Sequence, residues 1–327
     1  MGNKVEKRAF LIGNGINRAI PNDVQSWSEL LKSLAKAIGT PVDLSNELKP
    51  FPLLFEEILF KTKGEYDNNL KMIKGKIADA FRDTPATHLH KAVIDSGVRH
   101  ILTTNYDYAF EKAIDPAFSN ESGQREVSTY ETLNSIKRRT IFQHPELSIW
   151  HMHGEIHDNK RFESIRNFPS KSIMIGYEHY SQYIGEMQKY LRGEVTKSSL
   201  GLFDRMAKKD FQEESWIDFF FTHDLAIAGL SFDFSEHHLW WLINYRAKQK
   251  RRNKGQIKNR LRYYYAVLPE ADPNDLNEFA SRLSRKKANA AKTDLFRSLD
   301  VEPVPIVCSS YADYYLKMLE SDSAAIS

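Results

Sequence analysis

Short apolar runs that stop abruptly at glycine or at small polar residues, each followed by a stretch with helical spacing, constrain this chain more than any other feature. Ala9-Phe10-Leu11-Ile12 ends at Gly13-Asn14-Gly15, and Val98-Arg99-His100-Ile101-Leu102-Thr103-Thr104 ends at Asn105-Tyr106-Asp107. Runs at Leu147–Met152, Ser172–Ile175, Asp224–Leu230, Arg262–Leu268 and Val304–Cys308 continue the series. Runs this short and apolar make strands buried on both faces. Between them, Ser26-Trp27-Ser28-Glu29 has the spacing of a capping box, and Trp27, Leu30, Leu31, Leu34 and Ile38 recur at helical intervals. The region Phe51 to Phe81 is helical twice over, with Leu70, Ile73, Ile77 and Phe81 on one face, and His88–Asp95 is another helix. Strands alternating with helices predict an α/β fold: a Rossmann-like, doubly wound, mostly parallel sheet. We expect a single domain over 1–327, with an inserted helical lobe at about 40–85 and a C-terminal extension at about 270–327.

With 327 residues, 41% of them hydrophobic, such a sheet can be fully covered. Lys plus Arg number 46 against 43 for Asp plus Glu, so no global field recruits nucleic acid. Cys308 is the single cysteine, which excludes intramolecular disulfides and a four-thiolate zinc site and fits a reducing, cytoplasmic compartment. The run after the basic start Met1–Arg8 is too short for a signal peptide, and no stretch reaches the ~18 apolar residues of a membrane span. Two segments interrupt the alternation and are read as surface features: Ser119–Arg139, polar and aperiodic, and Lys248–Arg262, dense in Lys and Arg. The tail Ser321–Ser327 is polar.

In an open parallel sheet, ligands sit outside the carboxyl ends of the strands at a topological switch point. Four strand ends carry polar or glycine-rich chemistry: Gly13-Asn14-Gly15-Ile16-Asn17, Thr103-Thr104-Asn105-Tyr106-Asp107, His151-Met152-His153-Gly154 and Gly229-Leu230-Ser231-Phe232-Asp233. Each also has a structural reading. A glycine pair after a strand is a tight turn as readily as a phosphate cradle. Asn and Asp at strand ends are common turn formers. A histidine there packs or caps more often than it acts as a base. No acidic residue closes a compact βαβ unit after the first turn, which disfavours a dehydrogenase. His151, His153 and His157 lack the spacing of a helical metal motif, so no metal is expected.

Taken in order, the four segments resemble the sirtuin superfamily, and more closely its sirtuin-like branch found in prokaryotic antiviral defence effectors. The family's G-A-G-x-S loop is similar to Gly13–Asn17, its T-Q-N-I-D to Thr103–Asp107, its H-G pair to His153-Gly154 and its G-x-S-x segment to Gly229–Asp233. The branch's proline and Ser-Trp-x-x-Leu-Leu helix start are matched by Pro21 and Ser26–Leu31. The Cys₄ zinc module of the deacylating members is absent.

The resemblance implies an NAD⁺ glycohydrolase acting in abortive infection, with NAD as substrate. It implies His153 as general base, Asn105 positioning water and the nicotinamide ribose, and Asp107 orienting the carboxamide or supporting the loop. Gly13, Asn14, Gly15 and Asn17 would cradle the diphosphate, Thr104 would also contact the cofactor, and Gly229, Ser231 and Asp233 would lie along the adenosine. The alternative from another class is a sensor that binds NAD⁺ or ADP-ribose without turning it over. A third reading, nucleic-acid binding through Lys248, Lys250, Arg251, Arg252, Lys254, Lys258, Arg260 and Arg262, competes with a solvated helix end. An unregulated NAD hydrolase would starve its own cell, so a homo-oligomer or a partner protein is expected to control it.

Overall fold

The first apolar run becomes β1 (Arg8–Ile12), the strand on which the sheet is built. The computed structural model describes residues 7–21, 24–40, 42–43, 49–118, 136–156, 173–194, 199–208, 210–252, 255–269, 287 and 289–325. After β1 come α1 (Trp27–Ile38), α2 (Phe51–Lys61), α3 (Tyr66–Arg82) and α4 (His88–Asp95), then β2 (His100–Thr103) and α5 (Ala109–Ile114). A hairpin of β3 (Arg139–Phe142) and β4 (Leu147–His151) leads to α6 (Tyr177–Arg192), the small ribbon β5 (Gly193–Glu194) and β6 (Ser199–Leu200), α7 (Leu202–Met206) and α8 (Trp216–Thr222). The chain ends with β7 (Asp224–Ala228), α9 (His237–Arg252), β8 (Leu261–Val267), helix α10 at 289–298, β9 (Glu302–Val307) and α11 (Tyr311–Ala324).

The sheet order is β3-β4-β2-β1-β7-β8-β9, parallel throughout except for the antiparallel β3–β4 pair. From β1 the chain winds outward to β2 and β4, then crosses back to β7 on the other side of β1. The winding therefore reverses beside β1 and β7, the doubly wound arrangement expected from the alternation.

Strand periodicity divides the core. Ala9, Leu11, Leu102, Trp150, Ile227 and Tyr263 point to the face covered by α6, α8, α9 and α10. Phe10, Ile12, Ile101, Ile149, Ala226 and Tyr264 point to the face covered by α4 and α11. A third cluster joins α1, α2 and α3 through Leu31, Phe55, Ile58, Ile73 and Ile77 and continues to Tyr106 after β2. These helices form a lobe that includes α1, which lies outside the expected bounds of about 40–85. Its α1 starts at the capping box read from sequence, with Glu29 N–H donating to Ser26 Oγ at 3.2 Å and Ser26 N–H to Glu29 Oε2 at 2.6 Å. The fully buried Lys74 donates to Ile173 O at 2.7 Å and ties the lobe to the segment before α6; burial pushes its ammonium down to about 7.

Three expectations need correction. The strand expected at Ser172–Ile175 is a single bridge from Ile173 to Gly154, with Ser172 outside the described residues. The apolar residues there serve two clusters instead of a ladder, Ile173 and Ile175 packing into the lobe and Met174 into the sheet core. The end of the polar stretch Ser119–Arg139 opens the edge strand β3, where the Arg139 guanidinium lies 4.6 Å from the centre of the Trp150 ring; residues 119–135 lie outside the described residues. The polar tail begins inside α11, where buried Asp322 accepts from Arg262 at 2.9 Å and Tyr264 at 3.1 Å.

Much of the basic segment is paired within the chain. Lys250 meets Asp300 at 2.7 Å, Arg251 donates to Ser298 O at 3.0 Å, and Arg260 and Arg262 reach Asp224 and Asp322 at 2.9 Å each. Lys254 lies outside the described residues.

Candidate active site

Register places all four motif-bearing strand ends side by side. Ile12 pairs with Thr103 on one flank and Ala228 on the other, and Thr103 pairs with His151. These four residues form one row, and the segments singled out from sequence project past it at the carboxyl edge of adjacent parallel strands. Asn105 and His153 each stand two residues beyond the Thr103–His151 pair.

The first and fourth segments touch. Gly13 N–H donates to Ala228 O at 3.0 Å and Gly15 N–H to Gly229 O at 2.8 Å. A Cβ on Gly13 would fall 2.6 Å from Gly229 O, and one on Gly15 would fall 2.8 Å from Gly229 Cα. Gly229 itself has φ +66°, and the Tyr315 hydroxyl of α11 occupies the space where its side chain would be. These glycines therefore let two backbone turns approach, and the N–H groups of Gly13 and Gly15 are spent across the switch point. Farther along, Ser231 is exposed and its carbonyl accepts from Lys292, while Phe232 holds a left-handed φ of 49°. Asp233 Oδ1 accepts from Ser235 N–H at 2.8 Å and shapes the approach to α9.

Asn17 joins three elements. Thr87 N–H donates to His90 Nδ1 at 3.1 Å, so the ring proton is on Nε2 and donates to Asn17 Oδ1 at 3.0 Å. Asn17 Nδ2 then donates to Asn14 Oδ1 at 2.9 Å and Asp107 Oδ2 at 2.7 Å. Asp107 Oδ1 accepts from Ala109 N–H at 2.9 Å. Burial raises the Asp107 carboxyl above its usual range despite these donors.

Asn105 is different. Its side chain is buried at 5% exposure, yet among the described residues neither its Oδ1 nor its Nδ2 has a hydrogen-bond partner. Its position is fixed by the backbone: Asn105 N–H donates to Thr103 Oγ1 at 3.0 Å, and that hydroxyl donates to Ile12 O at 2.9 Å. Thr104 is buried beside it.

The two histidines of the third segment part company. His151 Nε2 meets Glu111 Oε1 at 2.8 Å inside the protein, and its Nδ1 faces Asn105 O at 3.4 Å. Burial opposes protonation of this ring, and Glu111 overcomes it, so the His151 pKa is raised. His153 Nε2 instead meets His238 Nε2 at 2.9 Å, with Glu236 Oε2 at 3.5 Å. Burial pushes His153 down to about 3, and burial with the nearby Asp233 pushes Glu236 up to about 8. Glu236 and His238 were not singled out from sequence. The signal was their place at the entry to α9, just past the fourth motif. His90 and Glu111 were missed too, as polar residues among apolar helix neighbours.

Among the described residues, His153, Glu236 and His238 have ligand atoms within 4.8 Å of one another and are the group able to hold a metal ion. This is not the set weighed from sequence, since His151 is held by Glu111 and His157 lies outside the described residues. A separate groove of about 260 Å³, lined by Lys7, Phe211, Thr222 and Asn259 among others, lies at the amino ends of β1, β7 and β8, the opposite edge of the sheet.

The SIR2-like domain family matches residues 99–291. The NAD(+) hydrolase ThsA of Bacillus cereus (strain MSX-D12) is 25% identical over 197 residues, covering 59% of this chain and 36% of that protein. The matched stretch thus spans about a third of the relative's length.

Proposed function

This chain belongs to the SIR2-like family, and from that premise we propose that it is an NAD⁺ glycohydrolase, cleaving NAD⁺ to nicotinamide and ADP-ribose. One observation carries the reading: the buried Asn105 carboxamide, held by its backbone at the switch-point edge with both polar atoms unpartnered among the described residues. A buried amide without partners costs about 1–3 kcal/mol, a cost that is offset when a ligand or an ordered water supplies the bonds. That the ThsA relative is an NAD(+) hydrolase supports the same choice of substrate.

Positive charge builds on the ribose as neutral nicotinamide leaves, and an oriented water attacks C1′. In this reading Asn105 holds that water and the ribose, and His153 takes the proton. Asp107 and Asn17 act by fixing the turns, since they bond to each other and to neighbouring backbone. Gly13, Gly15 and Gly229 bring the turns together, leaving Asn14, Thr104, Ser231 and Asp233 to face the dinucleotide.

The test is release of free nicotinamide from NAD⁺. His153→Ala should lower turnover about 10²–10⁴-fold with binding kept. Binding of NAD⁺ without nicotinamide release by the parent chain would favour the sensor reading. The single cysteine argues against a zinc-dependent deacylase. We assign the NADase to depletion of cellular NAD⁺ in antiviral defence, held off until assembly or a partner releases it. Measuring NAD⁺ in expressing cells before and after phage challenge checks that role.

A further inference from the structure

His153 and His238 face each other through like atoms. Their Nε2 nitrogens lie 2.9 Å apart, and Glu236 Oε2 lies 3.5 Å from His153 Nε2. Four ligands around a tetrahedral zinc, at bonds of about 2.0–2.1 Å, stand about 3.4 Å from one another. The two observed distances bracket that spacing, and all three residues offer a ligand atom within 4.8 Å of the others. Their carriers are fixed by the backbone. His153 O accepts from Met174 N–H at 2.8 Å, Glu236 N–H donates to Asp233 O at 3.0 Å, and Glu236 O accepts from the N–H groups of Leu239 and Trp240 at 3.1 Å each. Tyr180 stacks on His238 at 5.0 Å and meets His153 edge-on at 6.0 Å, which orients both rings.

The described residues do not satisfy this cluster by themselves. Two imidazole nitrogens at 2.9 Å form a hydrogen bond only if one donates and the other accepts. That bond leaves Glu236 Oε2 buried with no hydrogen-bond partner among the described residues. His238 is fully buried and its Nδ1 lacks a partner there too, so no second bond fixes its tautomer. A cation between the three uses both Nε2 lone pairs and the free carboxylate oxygen at once. Only the Glu236 carboxylate, whose side chain is 20% exposed at the entry to α9, has to close up.

Building on the assignment of His153 as base, we propose that His153, His238 and Glu236 form an inhibitory site for a divalent cation of the zinc type. Two imidazoles and one carboxylate suit Zn²⁺ and leave its fourth position to water. The effect on turnover follows from the ring. An imidazole bound through Nε2 keeps its proton on Nδ1, so ligated His153 has no lone pair for the proton of the attacking water. Metal-free His153 has one at Nδ1 whenever its Nε2 donates to His238. A cation at His153 also opposes the positive charge that builds on the ribose. Occupied, the site holds the enzyme off; emptied, it frees the base without a change of fold.

The test uses the whole chain, stripped with EDTA, dialysed, and titrated with CoCl₂ and ZnCl₂. One Co²⁺ per chain should bind with the intense visible bands of a four-coordinate ion, and Zn²⁺ should displace it. Zn²⁺ should raise Tm and suppress nicotinamide release, and EDTA should restore the release. Glu236→Gln keeps the size of the side chain but is a poor ligand. It should weaken Zn²⁺ by about 100-fold or more, beyond the 10–100-fold of an outer-shell loss, keep the metal-free rate, and escape the inhibition. Zn²⁺ that fails to bind the parent, or binds Glu236→Gln as tightly, overturns the site. So does a Co²⁺ spectrum of the hydrated six-coordinate ion in the parent, a result that does not depend on any variant folding. Zn²⁺ that occupies the site and leaves nicotinamide release unchanged or faster overturns the inhibition. His153→Ala runs alongside. Undiminished release there overturns the base and the inhibition with it, while the parent's Co²⁺ spectrum still decides the cation site.

Discussion

Asn17 Nδ2 and Asp107 Oδ2 meet at 2.7 Å between the turns that end β1 and β2, both side chains buried. With His90 donating to Asn17 Oδ1 from α4, the bond fixes which way the amide points and holds two candidate ligand-binding turns to one helix. Polar satisfaction here is local and complete, which separates this pair from Asn105.

Asn17→Asp replaces that donor with a second carboxylate of the same shape. Two buried carboxylates at this distance cannot both ionise. The variant should lose about 3 kcal/mol or more at neutral pH, the scale of an uncompensated buried charge. Thermal melts at pH 7 and pH 5 check it: the deficit should shrink at the lower pH, where one carboxyl carries a proton. A parental Tm at pH 7 would show that the turns are held by other contacts.

Asn105→Ala should behave in the opposite way. Its side chain makes no hydrogen bond among the described residues, so truncation should leave Tm within a few degrees of the parent or raise it. Nicotinamide release should fall to background. A variant that melts far below the parent would make Asn105 a turn residue and remove the main support for the proposed activity.

The strand ends were legible because each is a local event: an apolar run, then a break. Parity alone sends Leu11 and Phe10 to opposite faces, and four runs with polar ends name the carboxyl edge before any contact is known. The companions of His153 were not legible in the same way. His238 lies 85 residues away and meets it only after β7 has been laid beside β1. Met174 and Ile173 have the composition of a strand, yet the chain turns at Gly176, with φ +94°, before a ladder forms. Local propensity cannot report such a choice because tertiary packing makes it.

Gly229→Ala tests the contact between the first and fourth turns. The positive φ costs an alanine about 1–2 kcal/mol, and its methyl would meet the Tyr315 hydroxyl. Tyr315→Phe removes that hydroxyl at little cost, since it has no hydrogen-bond partner among the described residues. Gly229→Ala should therefore be less destabilising in the Tyr315→Phe background than alone, by the part of the penalty owed to the clash. Strict additivity of the two changes in denaturant melts would place the hydroxyl elsewhere.

Acid should destabilise this protein through its buried histidines. Burial pushes His90, His100 and His179 down to about 4 and His153 and His223 to about 3, and His238 is lowered as well. The unfolded chain returns each ring to about 6.5. Between pH 6.5 and about 4 the unfolded state therefore binds more protons than the fold does. Stability is full above 6.5 and falls as pH drops, by up to ~1.4 kcal/mol per pH unit for each ring. His151 runs the other way, because Glu111 raises it: its contribution is present at low pH and is lost as pH rises through its folded value. Glu236, raised to about 8, runs with His151, and the six lowered rings outweigh the two and leave the acid side weaker. Tm should drop steeply from pH 7 to pH 5, and unfolding at pH 5.5 should take up protons, measurable by calorimetry in buffers of different ionisation enthalpy. A Tm unchanged over that range, with no proton uptake, would mean that these rings already titrate inside the fold and that the surroundings of His153 are far more polar than its burial indicates.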